Sequence, residues 1–132
     1  MAEILSRLTK FPPKNLVGQT TLMELACVIR CCDVFVAHDS SALHLAAAVG
    51  TPTIALFGPT DPRRHLPPLF RGEVLKKDVF CSPCYSPWCR TITHSCMKRL
   101  SVEEVLQAIQ AQLAARDVPI NSAKRPPTID GG

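Results

Sequence analysis

Apolar residues along this chain alternate between two periods. Thr21-x-x-Glu24 forms a capping box, and Leu22, Leu25, Val28 and Ile29 then recur at helical spacing, predicting a helix over residues 21–32. Residues 33–37 (DVFVA) form a continuous apolar, β-branched run, as expected for a strand buried on both faces of a parallel sheet. A small-residue helix follows over residues 42–49, stopped by Gly50 and Pro52, and residues 52–57 (PTIALF) make a second buried strand. Residues 58–62 are turn chemistry, 63–71 a loop and 73–77 an edge strand. Ser101-x-x-Glu104 opens a last helix to about residue 115, with Val102, Val105, Leu106, Ile109 and Leu113 on one face. Upstream, residues 15–18 are strand-like, and Ile4, Leu5 and Leu8 share a helical face. The expected organisation is therefore the end of a helix or a linker over 1–14, an α/β domain over 15–116, and a disordered tail over 117–132. Strand, helix, strand, helix, strand in this order predicts a right-handed parallel, Rossmann-like sheet flanked by helices.

Composition narrows the function classes. A length of 132 residues, 46% hydrophobic, suits one compact domain. The net charge of +4 suits an anionic ligand, but with one Trp, one Tyr and no basic stripe the chain does not read as a nucleic-acid binder. No stretch has the apolar length of a membrane span and no signal peptide opens the chain, so the expected setting is cytoplasmic, with reduced thiols. Of the seven cysteines, Cys27, Cys31 and Cys32 fall in an apolar helical stretch and are expected as small buried hydrophobes.

The remaining four, Cys81-x2-Cys84-x4-Cys89-x6-Cys96, lie in an irregular segment over residues 80–98. Four thiols at this spacing are candidate ligands of a structural zinc, which would clip a loop that has few apolar residues. The alternative is a set of reduced thiols that pack the loop without metal. Disulfides, or a redox-active Cys-x-x-Cys, suit the spacing less well, since Cys81 does not open a helix.

The candidate chemistry sits after the first buried strand. In open α/β sheets, ligands bind at the carboxyl ends of the strands. There Asp39 or Ser40 would cap the following helix, Ser40 and Ser41 would add hydroxyls, and His44 would project back toward the same helix start. Unpaired amides and the partial positive charge of a helix N-terminus make such a turn a phosphate site. The alternative is that Asp39 is only a cap and His44 a satisfied, partly buried histidine.

The run His38-Asp39-Ser40-Ser41-Ala42-Leu43-His44-Leu45-Ala46-Ala47-Ala48, then Gly50-Thr51-Pro52 and residues 55–62 (ALFGPTDP), resembles the signature of glycosyltransferase family 9, the ADP-heptose:lipopolysaccharide heptosyltransferases. Residues 15–20 and the Cys81-Ser82-Pro83-Cys84 and Cys96-Met97 pairs are also similar to that family. The resemblance spans about residues 15–110 and implies the C-terminal, donor-binding half of a GT-B glycosyltransferase. It implies that Asp39, Ser40, Ser41 and His44 face the diphosphate of a nucleotide-sugar such as ADP-heptose, and that Thr20 lies near the adenine. It further implies metal-independent, inverting transfer to lipopolysaccharide core, with peripheral membrane association through that acceptor at the inner face of the inner membrane. Ser41 stands where the motif carries Gly, which changes how closely backbone can approach phosphate. The family's base, its ribose-holding acid and its diphosphate Lys are all expected upstream of Met1, and Asp61 is read as a turn residue. A non-catalytic nucleotide- or phosphosugar-binding module, working with a separate acceptor domain, and a zinc-stabilised interaction domain are the alternatives.

Overall fold

A computed structural model describes residues 11–117. The expected helix over 1–10 and the tail beyond 117 lie outside the described residues. The elements in chain order are α1 (Leu22–Cys31), β1 (Phe35–His38), α2 (Ser41–Val49), β2 (Thr53–Phe57), α3 (Pro62–His65), β3 (Gly72–Lys76), α4 (Ser95–Lys98) and α5 (Val102–Asp117). The strands pair in parallel in the order β1-β2-β3, with Phe35, Thr53 and Gly72 in one row across the sheet. The expected parallel α/β layer is therefore present.

The central strand β2 carries the core. Thr53, Ile54, Ala55 and Phe57 are all buried, as the unbroken apolar run of residues 52–57 predicts. Ala37, Leu43, Ala55 and Phe57 form one cluster, with Phe35, Leu66, Phe70 and Val74 packed against it. In β1 the expectation of burial on both faces fails: Ala37 is buried, whereas Val36 and His38 are exposed. Among the described residues β1 is an edge strand with cover on one side only, so its apolar run is half used.

Both predicted capping boxes form. Thr21 Oγ1 accepts from the Glu24 amide while Glu24 accepts from the Thr21 amide, and Ser101 and Glu104 exchange the same pair of bonds. α1 packs on α2 through Ile29, which is buried, and half-buried Leu25 and Ala26. Cys27 and Cys31 lie on its other face and are exposed, and Cys32 is half-buried, so these thiols are not core residues as expected. Ala46 and Ala47 are buried, and the small side chains let α2 approach both α1 and the sheet. Gly50 ends α2 at φ +78, in the left-handed region predicted for a C-terminal stop. Buried Thr51 then donates its hydroxyl to the Ile29 carbonyl at 2.9 Å, tying the end of α1 to the loop before β2.

Three local expectations are corrected. Residues 15–18 are a turn, because Asn15 Oδ1 accepts from the Val17 amide and Gly18 adopts φ +70. The loop expected over 63–71 opens with the one-turn helix α3, since Asp61 caps it and Pro62 supplies a preset φ at its first position. A short helix, α4, interrupts the segment expected to be irregular. In α5 the inward residues are Ala108, Val105 and Ile109, while Val102, Leu106 and Leu113 are exposed. Lys77 pairs with Glu104, joining the end of β3 to that helix.

Two glycines separate backbone freedom from steric need. A Cβ at Gly50 would meet nothing within 4 Å, whereas one at Gly72 would lie 2.0 Å from the Thr53 carbonyl oxygen. Gly50→Ala is expected to cost about 1 kcal/mol, the penalty of a left-handed φ alone. Gly72→Ala is expected to cost roughly 4 kcal/mol or more by also parting β3 from β2. Urea unfolding of the two variants measures the difference.

Candidate functional site

The parallel pairing brings the carboxyl ends of β1 and β2 to one edge. β1 ends at His38 and turns through Asp39 and Ser40 into α2. Ser40 occupies the N-cap position with extended backbone, yet its hydroxyl donates back to the His38 carbonyl at 3.2 Å. No side chain caps α2, so the cap expected from Asp39 or Ser40 is not made. Ser41 and His44, in the first turn, are exposed, and Ser40 is half-buried. Ser40, Ser41 and His44 thus lie together at a helix start that no side chain caps, with Asp39 directly before it.

The Asp39 carboxylate turns away from this helix. Its side chain is 18% exposed, and Oδ2 lies 3.4 Å from Nδ1 of His65 in α3. α3 is rigidly set. Asp61, itself only 8% exposed, accepts from the Arg63 amide at 3.0 Å and from Arg63 Nη2 at 2.9 Å and Nε at 3.2 Å. The Arg63 side-chain and backbone bonds hold the Asp61 carboxyl below the ordinary carboxylate range. Asp61 is therefore a cap and an ion-pair partner, in line with its reading as a turn residue. Thr60 Oγ1, in the same turn, is buried without a hydrogen-bond partner.

Thr20 lies apart from the other expected site residues. It lines an open cavity of about 480 Å³ with Asn15, Leu16, Val17 and Leu25. α1 runs into β1 and α2 runs out of it, so the starts of both helices belong to the carboxyl edge of the sheet.

The cysteine-rich segment folds back on the end of β2. The amides of Cys84 and Tyr85 both donate to the Pro59 carbonyl at 2.9 Å, and Ser82 Oγ donates to the Gly58 carbonyl at 2.6 Å. A second cavity, about 610 Å³, has Cys81, Cys84, Cys89 and Cys96 in its wall together with Trp88 and His94. The thiols share the wall without meeting. Among the described residues no three Cys, His, Asp or Glu side chains converge closely enough to hold a metal ion. Cys89 Sγ accepts from the His94 amide at 3.3 Å and lies 3.5 Å from Thr91 Oγ1, while the loop around it is pinned to Gly58 and Pro59.

Sequence reasoning missed His65, Tyr85 and Thr60. His65 falls in the stretch expected as a loop; the Asp61-Pro62 pair, a cap followed by proline at the first helical position, is the signal that places it one turn into a helix. No pattern signals that Tyr85, 20 residues later, reaches the same place.

Comparison with known proteins decides the family. The model of glycosyltransferase family 9 (heptosyltransferase) matches residues 1–92. This chain belongs to glycosyltransferase family 9. The family 9 chain is 36% identical over 95 residues to lipooligosaccharide heptosyltransferase 2 of Campylobacter jejuni, covering 71% of this chain and 30% of that protein. It is 49% identical over 71 residues to lipooligosaccharide heptosyltransferase 2 of Haemophilus influenzae, covering 47% and 20% respectively. Among solved structures, Escherichia coli ADP-heptose lps heptosyltransferase II superposes with a TM-score of 0.69 at 28% identity, over 87% of this chain and 33% of that one. A family 9 glycosyltransferase from Veillonella parvula gives 0.73 at 24% identity over the same shares, a likeness of fold. The match with the Campylobacter jejuni protein spans less than a third of that relative's length. The expected GT-B type of parallel α/β fold is confirmed by these neighbours.

The thiol bonds lead to a measurable ordering. The Thr91 hydroxyl and the His94 amide lower Cys89 to about 7, in the range where it is half ionised at neutral pH. Cys89 is expected to be alkylated by iodoacetamide ahead of Cys81, Cys84 and Cys96 at pH 7, with a rate that falls as pH drops through 7. Thr91→Val should move that midpoint upward. Peptide mass mapping after timed alkylation reads both.

Proposed function

We propose that the family 9 chain is the donor-binding domain, residues 15–116, of a heptosyltransferase that uses a nucleotide-sugar such as ADP-heptose. The observation that carries this reading is the start of α2, which no side chain caps, at the carboxyl edge of the parallel sheet, formed by the residues of the family motif. Amides of a first helical turn and the dipole behind them favour a diphosphate. Ser41 adds a hydroxyl donor there, Ser40 adds a second once its hydroxyl turns from the His38 carbonyl to the ligand, and His44 adds a ring nitrogen one turn further. Thr20, in the cavity beside α1, is assigned to the adenine side of the nucleotide.

In the proposed reaction an acceptor hydroxyl of lipopolysaccharide core attacks the anomeric carbon, the bond from that carbon to the diphosphate oxygen breaks with its electron pair, and ADP leaves. The residues at α2 stabilise the charge that develops on the leaving diphosphate, which is where binding energy lowers the barrier. No bound metal is required in this scheme. The two carboxylates at the ends of β1 and β2 are both engaged, Asp39 with His65 and Asp61 with Arg63, so the base that takes the acceptor proton is assigned to the other domain of the GT-B pair. No helix of the described residues is long and apolar enough to cross a membrane. Attachment to the membrane is proposed to be peripheral, through the acceptor, on the cytoplasmic side.

Calorimetric titration with ADP tests the reading. Ser40→Ala and His44→Ala are each expected to weaken ADP binding about tenfold, the loss of one hydrogen bond to a charged group. Binding that is indifferent to both substitutions overturns the diphosphate assignment. If the chain binds ADP as expected but supports no sugar transfer when supplied with an acceptor-side domain, it is a nucleotide-binding module and not half of an enzyme.

A further inference from the structure

A carboxylate one residue before the N-cap is attracted to the positive end of the helix and can turn onto its first-turn amides. Asp39 does not: it reaches away to His65, and Ser40 turns back to the His38 carbonyl. This matters for an anion site. A carboxylate on those amides would compete for the same donors as a diphosphate and repel it at close range. Something must hold Asp39 aside, and the described structure supplies one partner for it, the imidazole of His65, 3.4 Å from Oδ2.

His65 is itself braced. It ends α3, whose start is locked by the Asp61 cap and the Arg63 pair. From the other side the ring of Tyr85 meets it at a centroid distance of 5.8 Å and an interplanar angle of 38°. Tyr85 adopts φ +51, a left-handed conformation that is costly for an aromatic residue. Two amides on one carbonyl, Cys84 and Tyr85 on Pro59, hold it there. Strain of this kind persists only when the surroundings over-determine it, and here its effect is to bring one ring against one histidine.

We propose that His65, braced by Tyr85, is a positioning residue that holds the Asp39 carboxylate off the start of α2 and so leaves the first-turn amides open to the donor diphosphate. The inference rests on the donor-site reading above. It gives the cysteine-rich segment a task at that site: through Tyr85 it sets the direction of a carboxylate that the segment never touches. His65 acts through Asp39 and forms no bond in the reaction.

The test has a part that needs no ligand. In nitrogen-15 correlation spectra of the whole chain, the amides of Ser41 and Ala42 are expected to shift in His65→Leu, as the released carboxylate swings toward them. They are expected to stay in place in His65→Asn, whose side-chain nitrogen takes the position of Nδ1, and to return in the double variant His65→Leu with Asp39→Ala. Titration with ADP gives the second reading: His65→Leu and Tyr85→Ala each bind about fivefold to tenfold more weakly, while Tyr85→Phe binds as the parent does. In the Asp39→Ala background, His65→Leu causes no further loss. The proposal is overturned if the Ser41 and Ala42 amides are unmoved in His65→Leu, or if the loss of ADP affinity persists undiminished without Asp39. A parent chain that shows the amide shifts on His65→Leu yet does not bind ADP would confirm the positioning of Asp39 and refute the donor-site reading.

Discussion

The site depends on the parallel pairing of β1 with β2. Parallel strands end at the same edge, so the turn that leaves β1 at Asp39 and the turn that leaves β2 at Gly58 are held side by side. An antiparallel pairing of the same segments would put them at opposite ends of the sheet, and Asp39 could not meet His65. Burial of β2 enforces the arrangement: Ile54, Ala55 and Phe57 have no exposed surface, and slipping the register by one residue would exchange the side chains fitted to its two covered faces. The small side chains of Ala46 and Ala47 let α2 lie close over this strand, which fixes the helix start relative to the turn before it.

Given that frame, the electrostatics of the edge are local. Each strand end carries one carboxylate, and each carboxylate is answered by a base from the turn after β2: Asp61 by Arg63, Asp39 by His65. Both answers come from the single turn of α3. A helix of four residues contributes little by its own hydrogen bonds. It persists because a buried cap, a proline at its first position and a bidentate ion pair act together. What remains for an anionic ligand is the start of α2, with its amides, two serine hydroxyls and a histidine.

The cysteine-rich segment looks detachable in sequence and is not so in space. Gly58, Pro59 and the end of β2 receive its hydrogen bonds, and Met97 packs so closely on Gly58 that a Cβ there would lie 2.5 Å from its sulfur. Its thiols are spread around a cavity wall, where neighbouring hydroxyl and amide donors engage one of them, Cys89.

Much of this protein was legible in its residues alone. Period and capping chemistry determine α1, α2, β2 and α5, because those signals act within a few residues: a Thr-x-x-Glu box closes on its own turn wherever the helix packs. The motif over residues 38–48 likewise identified the helix start that the site uses, and the family that the comparisons show. What was not legible depends on packing between distant segments. Whether DVFVA is buried on one face or two, and whether Cys27 and Cys31 point inward, turn on what lies against them, and their own periodicity is silent about that. The cysteine spacing is silent in the same way: it counts residues between thiols, but only the fold decides whether four sulfurs meet, and no such cluster stands among the described residues. The contacts of Asp39 with His65, and of His65 with Tyr85, join residues 26 and 20 positions apart through two loops, and no local pattern encodes them. Sequence by itself determined where α2 begins; only the tertiary structure decided that the Asp39 carboxylate before it would face His65, because that contact joins the ends of two different strands.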